Sequence, residues 1–179
     1  MRVLFITIFI VLVDQISKLY IKGFTISSLG IYHDGMTLYS TETIIDGFLH
    51  LTFIENPGMA FGIDIGAKFF FSFFTILASI GIFYYLYISR NTDLVYRMGL
   101  AFILGGSIGN LIDRVFYGYF YDYAPLMYGK VVDFIDVSFG SYHWFIFNIA
   151  DSSVTIGIII LFLHSFIFSK NKNKELETV

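Results

Sequence analysis

The sequence predicts an all-α membrane protein, with four transmembrane helices and a small extracytoplasmic cap rich in β-structure. Three observations lead there. Hydrophobic residues make up 56% of the 179-residue chain and charged residues only 14%, against ~25% charged in a soluble domain. Four apolar runs, about 4–22, 66–89, 97–115 and 147–168, are each near the ~20 residues that a helix needs to cross a bilayer. The stretches between them at about 23–65 and 116–146 are too polar, and too broken by Gly, Pro and Asp, to span. The expected organisation is therefore one integral-membrane unit, residues 1–179, with no separate soluble domain.

The first run opens with Arg2 and, taken alone, has the look of a secretory signal peptide. Asp14, Lys18 and the lack of a small-x-small cleavage site argue for a retained span. Asp14 and Lys18 stand at i, i+4 on one helical face, where mutual neutralisation is the cheapest way to keep both in a membrane, so both are expected as structural support. The loop that follows has strand-like stretches at Met36–Tyr39 and Leu49–Ile54, β-branched and aromatic residues bounded by Gly and Asp, which predict a folded cap. Asn56-Pro57-Gly58-Met59-Ala60-Phe61 closes it. Gly58 after Pro57 reads as a turn that carries the loop backbone back over the membrane, with Ala60-Phe61 packing beside it.

The second run is dense in Phe and Tyr and ends at the polar turn Arg90-Asn91-Thr92-Asp93. The third carries Gly105-Gly106-Ser107-Ile108-Gly109-Asn110-Leu111-Ile112-Asp113-Arg114. An amide, an acid and a guanidinium are costly among apolar residues. Positions 110, 113 and 114 share a helical face, and Gly105 and Gly109 admit a neighbouring helix, so this face points inward. Asp113 is expected to support the structure as the partner of Arg114 or of Lys18. After it comes an aromatic insertion, Tyr119–Tyr128, whose flanking Gly118 and Gly129 predict a hinged flap. The fourth run starts at Phe147-Asn148-Ile149-Ala150-Asp151 and ends in Lys170, Lys172 and Lys174. Arg2, Arg90, Arg97 and those lysines fall on one side of a four-span arrangement, which puts both termini in the cytoplasm and the two long loops outside.

Composition excludes several chemistries. The chain has no cysteine, which removes thiol catalysis, disulfides and Cys-based metal sites. Its net charge of -3 argues against nucleic acid as a partner. The histidines at 33, 50, 143 and 164 lack His-Glu-x-x-His spacing, so a zinc peptidase has little support and no metal site is expected. Ser107 or Ser152 paired with Lys18 would make a Ser–Lys peptidase, for which there is no further sign. That leaves carboxylates. Asp151 lies within about a turn of the outer end of the fourth span, and Asp133 sits in the outer segment, Val132-Asp133-Phe134-Ile135-Asp136, that must fold back onto it. Two acids held close cannot both ionise cheaply, so one keeps a proton while the other takes one from water. The residues alone leave open whether the two are instead unrelated interfacial acids, and whether Asp136 replaces Asp133.

Taken in order, Asp14-Gln15-x-x-Lys18, Asn56 to Phe61, Gly105 to Arg114, Val-Val-Asp-Phe and Phe-Asn-x-Ala-Asp resemble the lipoprotein signal peptidases (signal peptidase II), integral-membrane aspartyl endopeptidases of bacteria. The resemblance runs from about Asp14 to Gly157. It implies Asp133 and Asp151 as the catalytic pair, and Asn56, Gly58, Asn110, Arg114 and Asn148 as residues that hold the substrate backbone. It further implies a lipid-modified prolipoprotein as substrate, cut just before its diacylglyceryl cysteine by a monomer in contact with lipids of the bacterial inner membrane, with the site at the outer face and no cofactor. The long 116–130 insertion and the long first loop depart from the family pattern without interrupting a motif. A small transporter, the rival from another class, should place acids at several depths, whereas here most gather toward the outer side.

Overall fold

The computed structural model describes residues 2–58, 68–140 and 142–177. Met59, Ala60 and Phe61 of the first-loop motif lie outside the described residues. Among those described, four helical stretches are long and apolar enough to cross a membrane. They are α1 (Leu4–Lys22), α2 (Lys68–Ile88), α3 (Leu94–Ile112) with its continuation, and α5 (Ile149–Glu177). α3 is the central helix and packs on the other three. Its glycines make that possible: a Cβ on Gly106 would run into the Ala150 carbonyl of α5, and one on Gly109 would lie 2.6 Å from the Asp14 carboxylate of α1.

α3 departs from expectation at both ends. It starts at Leu94, three residues earlier, because the Asp93 side chain caps it by accepting from the Val95 and Tyr96 N–H groups. At the far end it does not stop near 115. It passes through a π turn, Asp113–Tyr117, into a last helical turn α4, Gly118–Phe120, so the apolar helical stretch runs over Leu94–Phe120. The π turn alters the predicted shared face. Asn110 and Asp113 both face α1, whereas Arg114 reaches toward α2 and donates to the Thr75 hydroxyl at 3.3 Å.

The cap is antiparallel. A small hairpin pairs β1 (Phe24–Ile26) with β2 (Ile31–His33), and a four-stranded sheet runs β3 (Thr41–Ile45), β4 (Leu49–Asn56), β5 (Val131–Phe139), β6 (Tyr142–His143). The expected strand at Leu49–Ile54 is part of β4. Met36–Tyr39 is not a strand but a turn, with Tyr39 at φ +67°, incompatible with a ladder. β5 was not foreseen, although its run of β-branched and aromatic residues was readable. A second core of Ile21, Phe53, Tyr117, Val132 and Phe134 docks the sheet onto the outer ends of α1 and α3, so β5 is held against the bundle by burial.

The insertion is fastened, not hinged. Gly118 is helical at φ -52°, and a Cβ on Gly129 would run into the Asp113 carbonyl, so both glycines serve close approach. Carbonyls left open by the π turn are taken up by the insertion, Val115 by the Met127 N–H at 3.0 Å and Arg114 by the Gly129 N–H at 2.9 Å. Ser72 on α2 holds the Met127 carbonyl at 2.7 Å. Glu55 adds an ionic tie between Lys22 and Lys130.

Candidate active site

Asn148 precedes α5 and is its N-cap. Its side-chain oxygen accepts from the Asp151 N–H at 2.9 Å, while the Asp151 carboxylate accepts from the Asn148 N–H at 3.3 Å. This reciprocal capping box fixes Asp151 at the third position of the helix. The Asn148 amide nitrogen points the other way and donates to Asp133 Oδ1 on β5, with longer approaches to Asn110 Oδ1 at 3.1 Å and the Val132 carbonyl at 3.3 Å. One neutral side chain therefore links the Asp133 carboxylate to the Asp151 backbone N–H.

Each carboxylate has a second amide. Asn110 Nδ2 donates to Asp151 Oδ1 at 2.8 Å, and Asn56 Nδ2 donates to Asp133 Oδ2 at 3.1 Å. Asn56 is itself locked, since its oxygen accepts from the Gly58 N–H at 2.9 Å in a turn that holds Gly58 at φ +89°. Three of the residues expected to grip substrate thus direct amides at the two acids. Arg114 stands within electrostatic range of Asp151, Asp113 and Asp133. Burial, and after it the charge of Asp151, pushes the Asp133 carboxyl up to about 7, against the amides of Asn56 and Asn148 and the charge of Lys18. Asp136 points to the opposite face of β5, where it accepts from the Thr52 hydroxyl at 2.8 Å. Strand alternation makes Asp133 the one that meets Asp151.

Beneath this layer lies a second one, closed to solvent. Lys18 donates to Asp14, Asp113 and Asn110, each at 2.9 Å, which satisfies all three of its N–H bonds. Asp113 therefore pairs with Lys18, one of the two partners expected for it. Gln15, to which the sequence assigned no role, donates to Asp113 at 2.9 Å and to the Gly109 carbonyl at 3.1 Å, and accepts from the Tyr117 hydroxyl. The lower acids also hold backbone beside the upper ones. Asp14 accepts from the Ala150 N–H at 2.9 Å, and Asp113 from the Val132 N–H at 3.1 Å.

A cavity of about 310 Å³ opens next to Asp151, lined by Trp144, Phe145, Phe147, Ser152, Thr155 and Ile156. Its walls are apolar down the side of α5 and its carboxylate is at the top. The buried Asp133, its carboxyl pushed up, and the half-buried Asp151 beside it can together activate a water and protonate a carbonyl.

A family model described as signal peptidase (SPase) II matches residues 6–167. The chain is 42% identical over 143 residues to the lipoprotein signal peptidase of Bacillus pumilus, covering 80% of this chain and 84% of the relative. It is 36% identical over 170 residues to that of Bacillus velezensis, covering 95% and 96%. Its fold is similar to that of a solved bacterial membrane enzyme obtained by the in meso method, with a TM-score of 0.72 at 32% identity over 96% of this chain and 91% of the other. The membrane bundle, the antiparallel cap and the full-length match agree: this chain belongs to the signal peptidase II family.

Proposed function

We propose that this protein removes signal peptides from prolipoproteins by cutting before the diacylglyceryl-modified cysteine, with Asp133 and Asp151 as an aspartyl pair. The observation that carries the reading is Asn148 at the mouth of the bundle, whose side-chain amide donates to the Asp133 carboxylate and whose backbone N–H donates to the Asp151 carboxylate. Asp133 enters the reaction protonated and Asp151 ionised. Asp151 takes a proton from water as the water oxygen attacks the scissile carbonyl carbon, and Asp133 gives its proton to the carbonyl oxygen. As the resulting diol collapses, one of its hydroxyls returns a proton to Asp133, the C–N bond breaks, and the proton held by Asp151 goes to the departing amine. No covalent intermediate and no cofactor is called for.

Asn110 and Asn148 orient the acids, while Asn56, Gly58 and Arg114 lie where a substrate backbone would be held. Asn56 keeps a second N–H and Arg114 several, all suited to peptide carbonyls. The apolar wall running from Asp151 down α5 suits a substrate that arrives through lipid. The termini are cytoplasmic, the site faces outward and the enzyme works as a monomer. Cleavage of a lipid-modified precursor in detergent by wild type, Asp133→Asn, Asp151→Asn and Asp136→Asn tests the assignment. The first two variants should be inactive while still folded, and Asp136→Asn, on the far face of β5, should retain activity. An active Asp133→Asn protein would overturn it.

A further inference from the structure

The β1–β2 hairpin stands apart from the rest of the cap. It shares no ladder with the four-stranded sheet, and an isolated two-stranded hairpin is only marginally stable in water. From Gly23 through Tyr32 the sequence contains no charged residue. Around its 3₁₀ tip it exposes Ile26, Leu29, Ile31 and Tyr32, with Leu29 at 68% and Tyr32 at 73% of full accessibility. By contrast, the outer strand β3 mixes its exposed isoleucines with Glu42 and threonines, as a face toward water does.

Its base is fixed at the level of the membrane boundary. His33 stacks on Tyr20 of α1 at 4.9 Å between ring centroids, and its ring Nε2 bonds the Tyr20 carbonyl at 2.8 Å. Gly23 and Gly35, both at positive φ, lie so close that a Cβ on Gly23 would meet the backbone of His33 and Asp34, and one on Gly35 the backbone of Gly23 and of Ile21 and Lys22 at the end of α1, and the Met36 N–H donates to the Ile21 carbonyl at 2.7 Å. The hairpin thus grips the last turn of a membrane span. Beneath it lies a cavity of about 470 Å³ lined by Ile16, Leu19, Tyr20, Phe24 and His33. Ile16 is one turn, ~6 Å, below Tyr20, so the hairpin overhangs the side of α1. That side continues downward as an exposed apolar stripe through Leu12, Phe9 and Phe5, the face a span shows to lipid.

We propose that the β1–β2 hairpin is an interfacial anchor that lies in the outer leaflet, with Leu29 and its neighbouring apolar side chains among acyl chains and the overhang filled by lipid. Three features select lipid as the occupant. The exposed surface is continuous with the lipid-facing stripe of α1, it carries no charge, and its aromatic residues are of the kind that settle at headgroup depth.

The absence of cysteine makes the test direct. Single variants Leu29→Cys, Tyr32→Cys, Phe9→Cys and Glu42→Cys are spin-labelled in the full chain, reconstituted in phosphatidylethanolamine–phosphatidylglycerol vesicles, and their collisions with oxygen and with a water-soluble nickel chelate are compared. Precursor cleavage by each labelled variant certifies its fold. Labels at Leu29 and Tyr32 should favour oxygen, as at Phe9, with nickel collisions several-fold below those at Glu42. Nickel access at Leu29 equal to that at Glu42 would overturn the proposal in favour of a water-exposed hairpin. Spin–spin broadening at Leu29 that vanishes on dilution with unlabelled protein would overturn it in favour of contact between copies.

Discussion

Two pairs of carboxylates sit one above the other in this bundle, and what lies between the members of each pair decides what the pair can do. In the lower layer a cation, Lys18, bridges Asp14 and Asp113, and all three side chains are fully buried. In the upper layer the bridge is a neutral amide, Asn148, between the Asp133 carboxylate and the Asp151 backbone N–H, beside an open cavity. A cation between two acids offsets the charge of one and holds both in ion pairs away from solvent. An amide orients them without neutralising either, so one must carry a proton, and that proton can move. The layers are also mechanically joined. Lys18 fixes the Asn110 oxygen, which turns the Asn110 nitrogen toward Asp151, and the lower acids hold the backbone at Ala150 and Val132, each one residue before an upper acid.

Removing the cation should be the most damaging change. Lys18→Met leaves two carboxylates buried without their partner, a defect worth roughly 3–5 kcal/mol, and should unfold the protein or lower its melting temperature steeply in detergent. Changing the acids with it should restore part of that loss: Asp14→Asn and Asp113→Asn introduced together with Lys18→Met remove the stranded charges. A triple variant as unstable as Lys18→Met would show that Lys18 matters through its packing and not its charge.

Removing the amide should act on rate more than on fold. Asn148→Ala takes away the bridge and the helix cap, which costs ~1 kcal/mol of stability, but it also frees Asp133 and Asp151 to drift apart. Misplacement on the order of 1 Å costs about 10²-fold in rate, so kcat for a lipidated precursor should fall by about that factor while the melting temperature moves little. An equal loss of stability in Asn148→Ala and Lys18→Met would erase the distinction between the layers.

How much of this contrast was readable from sequence depends on how local each contact is. Asp14 and Lys18 are four residues apart on one helix, and their pairing follows from helical geometry. The choice between Lys18 and Arg114 for Asp113 was not open to sequence, because the π turn that swings Arg114 toward Thr75 carries no local signature in Asp113–Tyr117. The same limit hid the orienting roles of Asn110 and Asn148, which depend on three elements meeting. Asp133 and Asp136 became distinguishable only once β5 was seen as a strand, although Val131–Phe139 has the composition of one. Met36–Tyr39 shares that composition and turns instead, because Ser40 and Phe53 bond across it and leave Tyr39 left-handed. Gly129 reads in the sequence as a hinge and not as a point of close contact, since its neighbour, the Asp113 carbonyl, is sixteen residues away in the chain.

The most diagnostic expected effect concerns pH. Asp133 is held at about 7 in the folded protein, against 3.8 for an ordinary aspartate, so the folded state keeps a proton that the unfolded chain gives up. The stability this confers is complete below 3.8 and is lost as pH rises to about 7, after which both states are ionised and the slope vanishes. Within the window the loss approaches ~1.4 kcal/mol per pH unit. Glu55 does not mask it. Burial raises that carboxyl, but Lys22 and Lys130 outweigh burial and hold it below its usual 4.5, so its contribution is lost only at more acid pH. Chemical or thermal unfolding between pH 5 and 7 should therefore show wild type losing stability while Asp133→Asn, which has no proton to lose, stays flatter. Turnover should fall over the same upper range, as Asp133 gives up the proton it must donate. Parallel stability slopes in wild type and Asp133→Asn would mean that the upper layer does not hold its proton at Asp133, and the acid and base roles of Asp133 and Asp151 would then have to be exchanged.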